Sequence, residues 1–168
     1  MSGARYHEAG HAVAAYHQGW QVVGVTATDE TWYTHYRCPM FGGSEHWRAA
    51  CVTLAGWYAD MLHGWGEIRT DSWWQFLHEA LTERQLADEG DEDALGDSSH
   101  LLDHVEAMAQ EWPCESRENC YREVVEGTRE LVLEYWHEVE AVAKALEERD
   151  GYLNGETLHE MLDGEEKG

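Results

Sequence analysis

The chain has 168 residues, and its 34 acidic against 11 basic side chains give a formal net charge of −23. That balance lacks the Lys and Arg patch that phosphate contacts need, which argues against nucleic acid as a partner. The length suits a single domain spanning residues 1–168, able to bury roughly 70% of the surface its unfolded chain exposes, and no run of about eighteen apolar residues offers a membrane span.

Residues 4–18 are rich in Ala and end at Gly19, as a helix with a C-terminal glycine does. "QVVGVTAT" and "WYTHYRC", β-branched or aromatic and separated by an acidic turn, predict a short hairpin or two strands of a small sheet. Pro39 and Gly42-Gly43 end this part. Ser44 is placed to cap a second helix, whose apolar face is Trp47, Ala50, Cys51, Leu54, Ala55, Tyr58 and Leu62. "HGWGEIR" breaks it. Thr70 or Asp71 then caps a weaker helix over "SWWQFLHEALTERQLAD". Residues 88–97, "DEGDEDALGD", read as a solvated acidic linker within the domain.

Asp97 or Ser98 opens the next helix, with Leu101, Val105, Met108 and Trp112 on one side and Pro113 as its stop. Ser116 starts the longest predicted helix, running through Asp150 with Val124, Leu131, Tyr135, Val139, Val142 and Leu146 inside. Gly151 and Asn154-Gly155 turn the chain into a last helix over 156–164. The expected fold class is mainly α (α+β), a helical domain with one small β-hairpin or sheet.

The chemistry is concentrated near the N-terminus, in "RYHEAGHAVAAYHQG". His7, Glu8 and His11 stand in the order His-Glu-x-x-His. On a helix, residues four apart lie on one face with Cβ atoms about 5–6 Å apart. Two imidazoles so placed can reach one zinc ion at about 2.0–2.1 Å each. Glu8 then stands beside the metal, where a carboxylate takes a proton from attacking water and returns it to the leaving amine. Ala9 and Gly10 are small and admit close packing over this helix. The bland alternative is a helix with three polar residues on a wet face, and the Ala-rich surroundings speak against it.

"YHEAGHAV" resembles the peptidase domain of the FtsH family of zinc metallopeptidases. "VTLAGWYADML" is similar to that family's Leu-Ala-Gly-x-x-Ala-Glu helix, and residues 128–162 to its C-terminal helix pair. The resemblance implies a zincin-like peptidase with Zn2+ as cofactor, Glu8 as general base, and His7 and His11 as ligands. It also implies a third ligand, an Asp in a Gly-x-x-x-Asp-Leu pattern. "GDSSHL" fits that pattern best and puts His100 at the Asp position. Asp97, one turn earlier, and Asp71, in "IRTDSWW", are the alternatives. No phosphate loop and no transmembrane segment accompany these motifs, so the expectation is a free-standing peptidase domain. Its substrate would be unstructured polypeptide, with a separate ATPase or a homo-oligomer left open.

Other residues have plainer readings. His35, His46, His63, His78, His137 and His159 suit surface or ordinarily partnered positions. His104 lies one turn after His100 and faces either the site or solvent, and Asp103 is a candidate to orient a ligating His. The nine tryptophans suit core packing, and the second strand lies where a peptidase needs an edge to hold extended substrate. Cys51 suits a core position. Cys114 and Cys120 are near enough to bridge, but with no signal-peptide pattern the chain reads as cytoplasmic and its thiols as reduced. Two functions follow: a zinc-dependent metalloendopeptidase, or a catalytically inactive peptidase-like module that binds a protein partner, with zinc structural or absent.

Overall fold

The computed structural model describes residues 2–37, 44–70, 73–91, 95–111 and 116–167. Among these it is mainly helical, with one three-stranded antiparallel sheet. Helix α1 (Ser2–His17) carries the His-Glu-x-x-His motif and lies at the centre. Its residues Ala9, Ala12, Val13, Ala14 and Ala15 are buried. Gly19, at φ 80°, ends it, as the sequence predicts.

Helix α2 (Ser44–Trp65) packs directly across α1. The approach is close because Gly10 has no side chain: a Cβ there would meet Ala55 O at 2.6 Å and Ala59 Cβ at 2.8 Å. The helix carries three residues into the predicted break "HGWGEIR", through His63 to Trp65, and stops at Gly66, where φ is 74°.

Helices α3 (Trp73–Asp88) and α4 (Asp97–Glu111) form a pair, and α4 also packs on α2. The predicted longest helix is two. Helix α5 (Arg117–Glu134) ends at Tyr135, whose φ −105° and ψ 22° leave the helical region, and α6 (Trp136–Glu148) restarts there. The cause is tertiary. Helix α5 packs against α2 and α6 against α1, and one straight rod would not reach both. The His17 ring stacks on Tyr135 at 3.5 Å between centroids, and the imidazole meets buried Glu138 at 2.5 Å.

Strands β1 (Gln21–Ala27) and β2 (Trp32–Arg37) form the predicted hairpin. A third strand, β3 (Tyr152–Asn154), pairs with the other side of β1, giving the order β2-β1-β3. Three residues are too few for an alternating pattern to show, so the segment reads as a turn until its pairing is seen. Helix α7 (Gly155–Lys167) follows at once. Because β1 is central, β2 is left as an edge strand beside α1.

Cys51 is a buried free thiol, as expected. Cys120 is disulfide-bonded, which corrects the reading of every thiol as reduced. Pro39, Gly42-Gly43, Asp71, Trp112, Pro113 and Cys114 lie outside the described residues. No described helix is long and apolar enough to cross a membrane.

Candidate metal centre

The motif's spacing puts His7 and His11 on one face of α1, and their neighbours settle how the rings point. His11 Nδ1–H donates to the carbonyl of Val52 on α2 at 2.7 Å. His7 Nδ1–H donates to Asp60 Oδ2, also on α2, at 2.6 Å. A carbonyl and a carboxylate can only accept, so each ring holds its proton on Nδ1 and turns Nε2 inward. The two Nε2 atoms are 3.0 Å apart. Asp97, the first residue of α4, brings Oδ2 to 2.9 Å from His7 Nε2 and 3.2 Å from His11 Nε2.

Three donor atoms with those separations fit around one ion at about 2.0–2.1 Å from each. Two imidazoles and a carboxylate suit zinc chemically, and each imidazole has the outer partner that orients such ligands. A second observation agrees. A Cβ on Gly56 would lie 2.5 Å from His11 Nε2 and 2.9 Å from His7 Nε2. The imidazole tips thus rest against bare α2 backbone, in a cradle that any side chain would fill.

Glu8 is buried, and its carboxylate oxygen lies within 4.8 Å of the ligand nitrogens of His7 and His11. Thr34, in the middle of β2, donates its hydroxyl to Glu8 Oε2 at 2.6 Å and reaches the Glu8 carbonyl at 3.0 Å. Burial raises the Glu8 pKa above its ordinary value, with a smaller push from Asp97, and His11, the Thr34 bond and His7 pull it part of the way back. A base shifted that way is nearer to working at neutral pH. Glu8, both histidines and Asp97 line one cleft of about 570 Å³, with Trp32 and Thr34 of β2 along its side.

Of the three residues weighed for the third position, Asp97 is the one that meets both imidazoles. His100 is exposed on the cleft wall, and Asp71 lies outside the described residues. The two lie one turn apart on the same side of α4; Asp97, at the start of the helix, reaches both imidazoles, while His100, one turn further along, lines the cleft beyond them. Asp103 does not orient a histidine; it pairs with Arg84 at 2.5 Å.

Sequence reasoning missed the residues that hold Asp97 and His7. Glu83 of α3 accepts from Gly96 N at 3.2 Å, Ser99 N at 2.8 Å and Ser99 Oγ at 2.6 Å. One carboxylate thereby caps the α4 N-terminus, satisfying exposed amides and the helix dipole, and clamps the turn that carries Asp97. Asp60 closes the "LAGWYAD" stretch and is the partner of His7. An acidic residue one turn after Gly56 was the available signal for Asp60; Glu83 left none, because its partner is a different helix.

The electrostatics predict a pH dependence. Burial lowers the His7 pKa, but the bonds and charges of Asp60 and Asp97 outweigh it and push it up to about 10. Burial would raise the Asp97 pKa, but its bonds to His11 and His7 hold it well below the usual range. A raised histidine stabilises the fold fully below its ordinary value of 6.5 and loses that stabilisation as pH climbs to about 10. Asp97 has the opposite sign, and its contribution is lost only on acidification. Chelator-treated protein is therefore expected to lose stability steadily from pH 6.5 to about 10, seen as a falling urea midpoint. A flat midpoint across that window contradicts the reading. Zinc uptake at neutral pH is expected to release a proton, since the ligand form of His7 is the neutral one.

No protein-family model and no curated protein matches the chain. The resemblance to FtsH-type peptidases therefore rests on the short sequence motifs alone.

Proposed function

We propose that this protein is a zinc-dependent metalloendopeptidase of FtsH type, with His7, His11 and Asp97 as the metal ligands and Glu8 as the general base. The observation that carries the reading is the convergence of His7 Nε2, His11 Nε2 and Asp97 Oδ2 within 3.2 Å of one another, with a buried carboxylate beside them. When bound, zinc supplies Lewis acidity, which polarises a carbonyl and makes water nucleophilic at neutral pH.

The chain's own residues supply the rest. Glu8 accepts the proton of the attacking water and returns it to the departing amine nitrogen. The Thr34 hydroxyl holds the Glu8 carboxylate in one orientation. Strand β2 is the edge of the sheet among the described residues and lies beside the cleft, so an extended peptide can add to the sheet through backbone hydrogen bonds. Trp32 and Tyr33, each 53% exposed on that strand, would flank it. Strand addition needs an extended segment, so the substrate of this reading is unstructured polypeptide. The reading includes a cytoplasmic location, and the disulfide at Cys120 is the observation that pulls against it, since cytosolic thiols are kept reduced.

The test is metal content together with cleavage. Protein purified without added metal is expected to carry one tightly held zinc per chain and to cleave an unfolded protein in a chelator-sensitive way. Asp97→Ala is expected to lose that zinc on dialysis, and His100→Ala to keep it. The opposite pattern would move the third ligand to His100. Zinc-independent behaviour, with no cleavage of varied unfolded substrates, would favour the partner-binding module.

A further inference from the structure

Trp57 and Glu83 line the metal cleft and also a second cavity of about 690 Å³, set among α2, α3, α4 and α5. Sites for small organic molecules run roughly from 300 to 1,000 Å³ and combine apolar walls with a few placed polar groups. The walls here are aromatic. Phe76 and Tyr121 stack with centroids 5.0 Å apart, and Trp57 meets Phe76 edge-on at 6.4 Å. The peptidase chemistry proposed above makes no use of this space.

Two lining residues each carry a buried polar atom with no hydrogen-bond partner among the described residues: the Tyr58 hydroxyl and Asp60 Oδ1. Tyr58 is 1% exposed, so water does not compensate from outside. The other Asp60 oxygen is taken by His7. Buried polar atoms are nearly always paired, and an exception points to a water, an ion or a ligand that belongs there.

Charge says which ligand. Asp60, Glu79 and Glu83 put three carboxylates on the lining, and no Lys or Arg among the described residues pairs with any of them. The one cationic side chain on the lining, Arg69, is already engaged: its Nε donates to Glu67 at 3.1 Å, and its guanidinium lies 4.4 Å over the Trp65 ring. Aromatic faces beside carboxylates attract an organic cation, through the ring quadrupole and through charge-assisted hydrogen bonds.

We propose that this cavity is a binding site for a small aromatic amine in its protonated form. Its ammonium group meets Asp60 and Glu79, its ring packs on Trp57 and Phe76, and Tyr58 offers its hydroxyl to a second polar group. The site is distinct from the metal centre, and it stands whether or not the protein cleaves peptides.

Three indoles of one shape and different charge test it: tryptamine, indole-3-ethanol and indole-3-propionate, titrated calorimetrically at pH 7 into the whole untagged protein. Tryptamine is expected to bind saturably, one per chain, and about tenfold or more tighter than indole-3-propionate, whose anion would face three carboxylates. Glu79→Gln changes an exposed residue and is expected to weaken tryptamine by about two- to fivefold, as loss of an exposed ion pair does. Tyr58→Phe removes only the unpartnered oxygen. It is expected to leave the thermal midpoint of the empty protein unchanged or higher, and to weaken tryptamine by about two- to tenfold. No saturable binding of tryptamine overturns the proposal. Equal or tighter binding of indole-3-propionate overturns it too, as does tryptamine affinity undiminished in both folded variants.

Discussion

Glu8→Gln is expected to lower zinc-dependent cleavage of an unfolded protein by about 10²–10⁴, the usual contribution of a positioned acid–base group. The substitution keeps the side chain's size, and its amide oxygen can still accept from Thr34, which reaches Oε2 at 2.6 Å. What disappears is the lone pair able to take a proton. The fold and the metal should survive, because His7, His11 and Asp97 are untouched. Cleavage that persists at the original rate in Glu8→Gln with full zinc content would remove Glu8 from the mechanism. An unsubstituted protein that never cleaves, yet captures a partner equally well with Glu or Gln at position 8, would replace the enzyme by a binding module.

Gly56→Ala is expected to abolish tight zinc binding and to destabilise the protein by about 1–3 kcal/mol, the usual range for overpacking a core. The added methyl would lie 2.5 Å from His11 Nε2 and 2.9 Å from His7 Nε2. The rings have little room to retreat, since each is held from behind, one by Val52 O and the other by Asp60. Something in the ligand triangle must therefore move. Elemental analysis and a thermal midpoint read the two effects separately. A variant that keeps its zinc would mean that α2 stands further from α1 than this geometry has it. Gly64→Ala, on the same helix but with open space where its Cβ would go, is the matched control and should leave zinc unchanged.

Much of the fold was legible because it is helical and amphipathic. The periodic faces of α1, α2, α4 and the region of α5 and α6 follow from residues spaced three and four apart. The hairpin follows from a β-branched and aromatic run on either side of an acidic turn. Strand β3 was not legible, being three residues long and a strand only through its pairing with β1. The break at Tyr135 was not legible either. Its local sequence is helix-compatible throughout, and the interruption comes from α5 and α6 serving two different neighbours.

The sequence by itself determined the chemistry available on α1: two imidazoles and a carboxylate at a spacing the helix repeat converts into proximity. It also determined that small residues on α1 and α2 would let those helices approach. Only the tertiary structure decided what completes the group. Asp97 and His100 sit three residues apart in one stretch, and composition does not separate them as ligands. The α3 carboxylate of Glu83, clamped on the first turn of α4, fixes where that helix begins, and it is Asp97 at this end, not His100 one turn further on, that meets the imidazoles. The same holds for Thr34 on Glu8 and Asp60 on His7. Helical spacing reaches only about one turn along the chain, whereas each of these contacts joins residues at least 26 positions apart, where no periodicity in the sequence can carry the information.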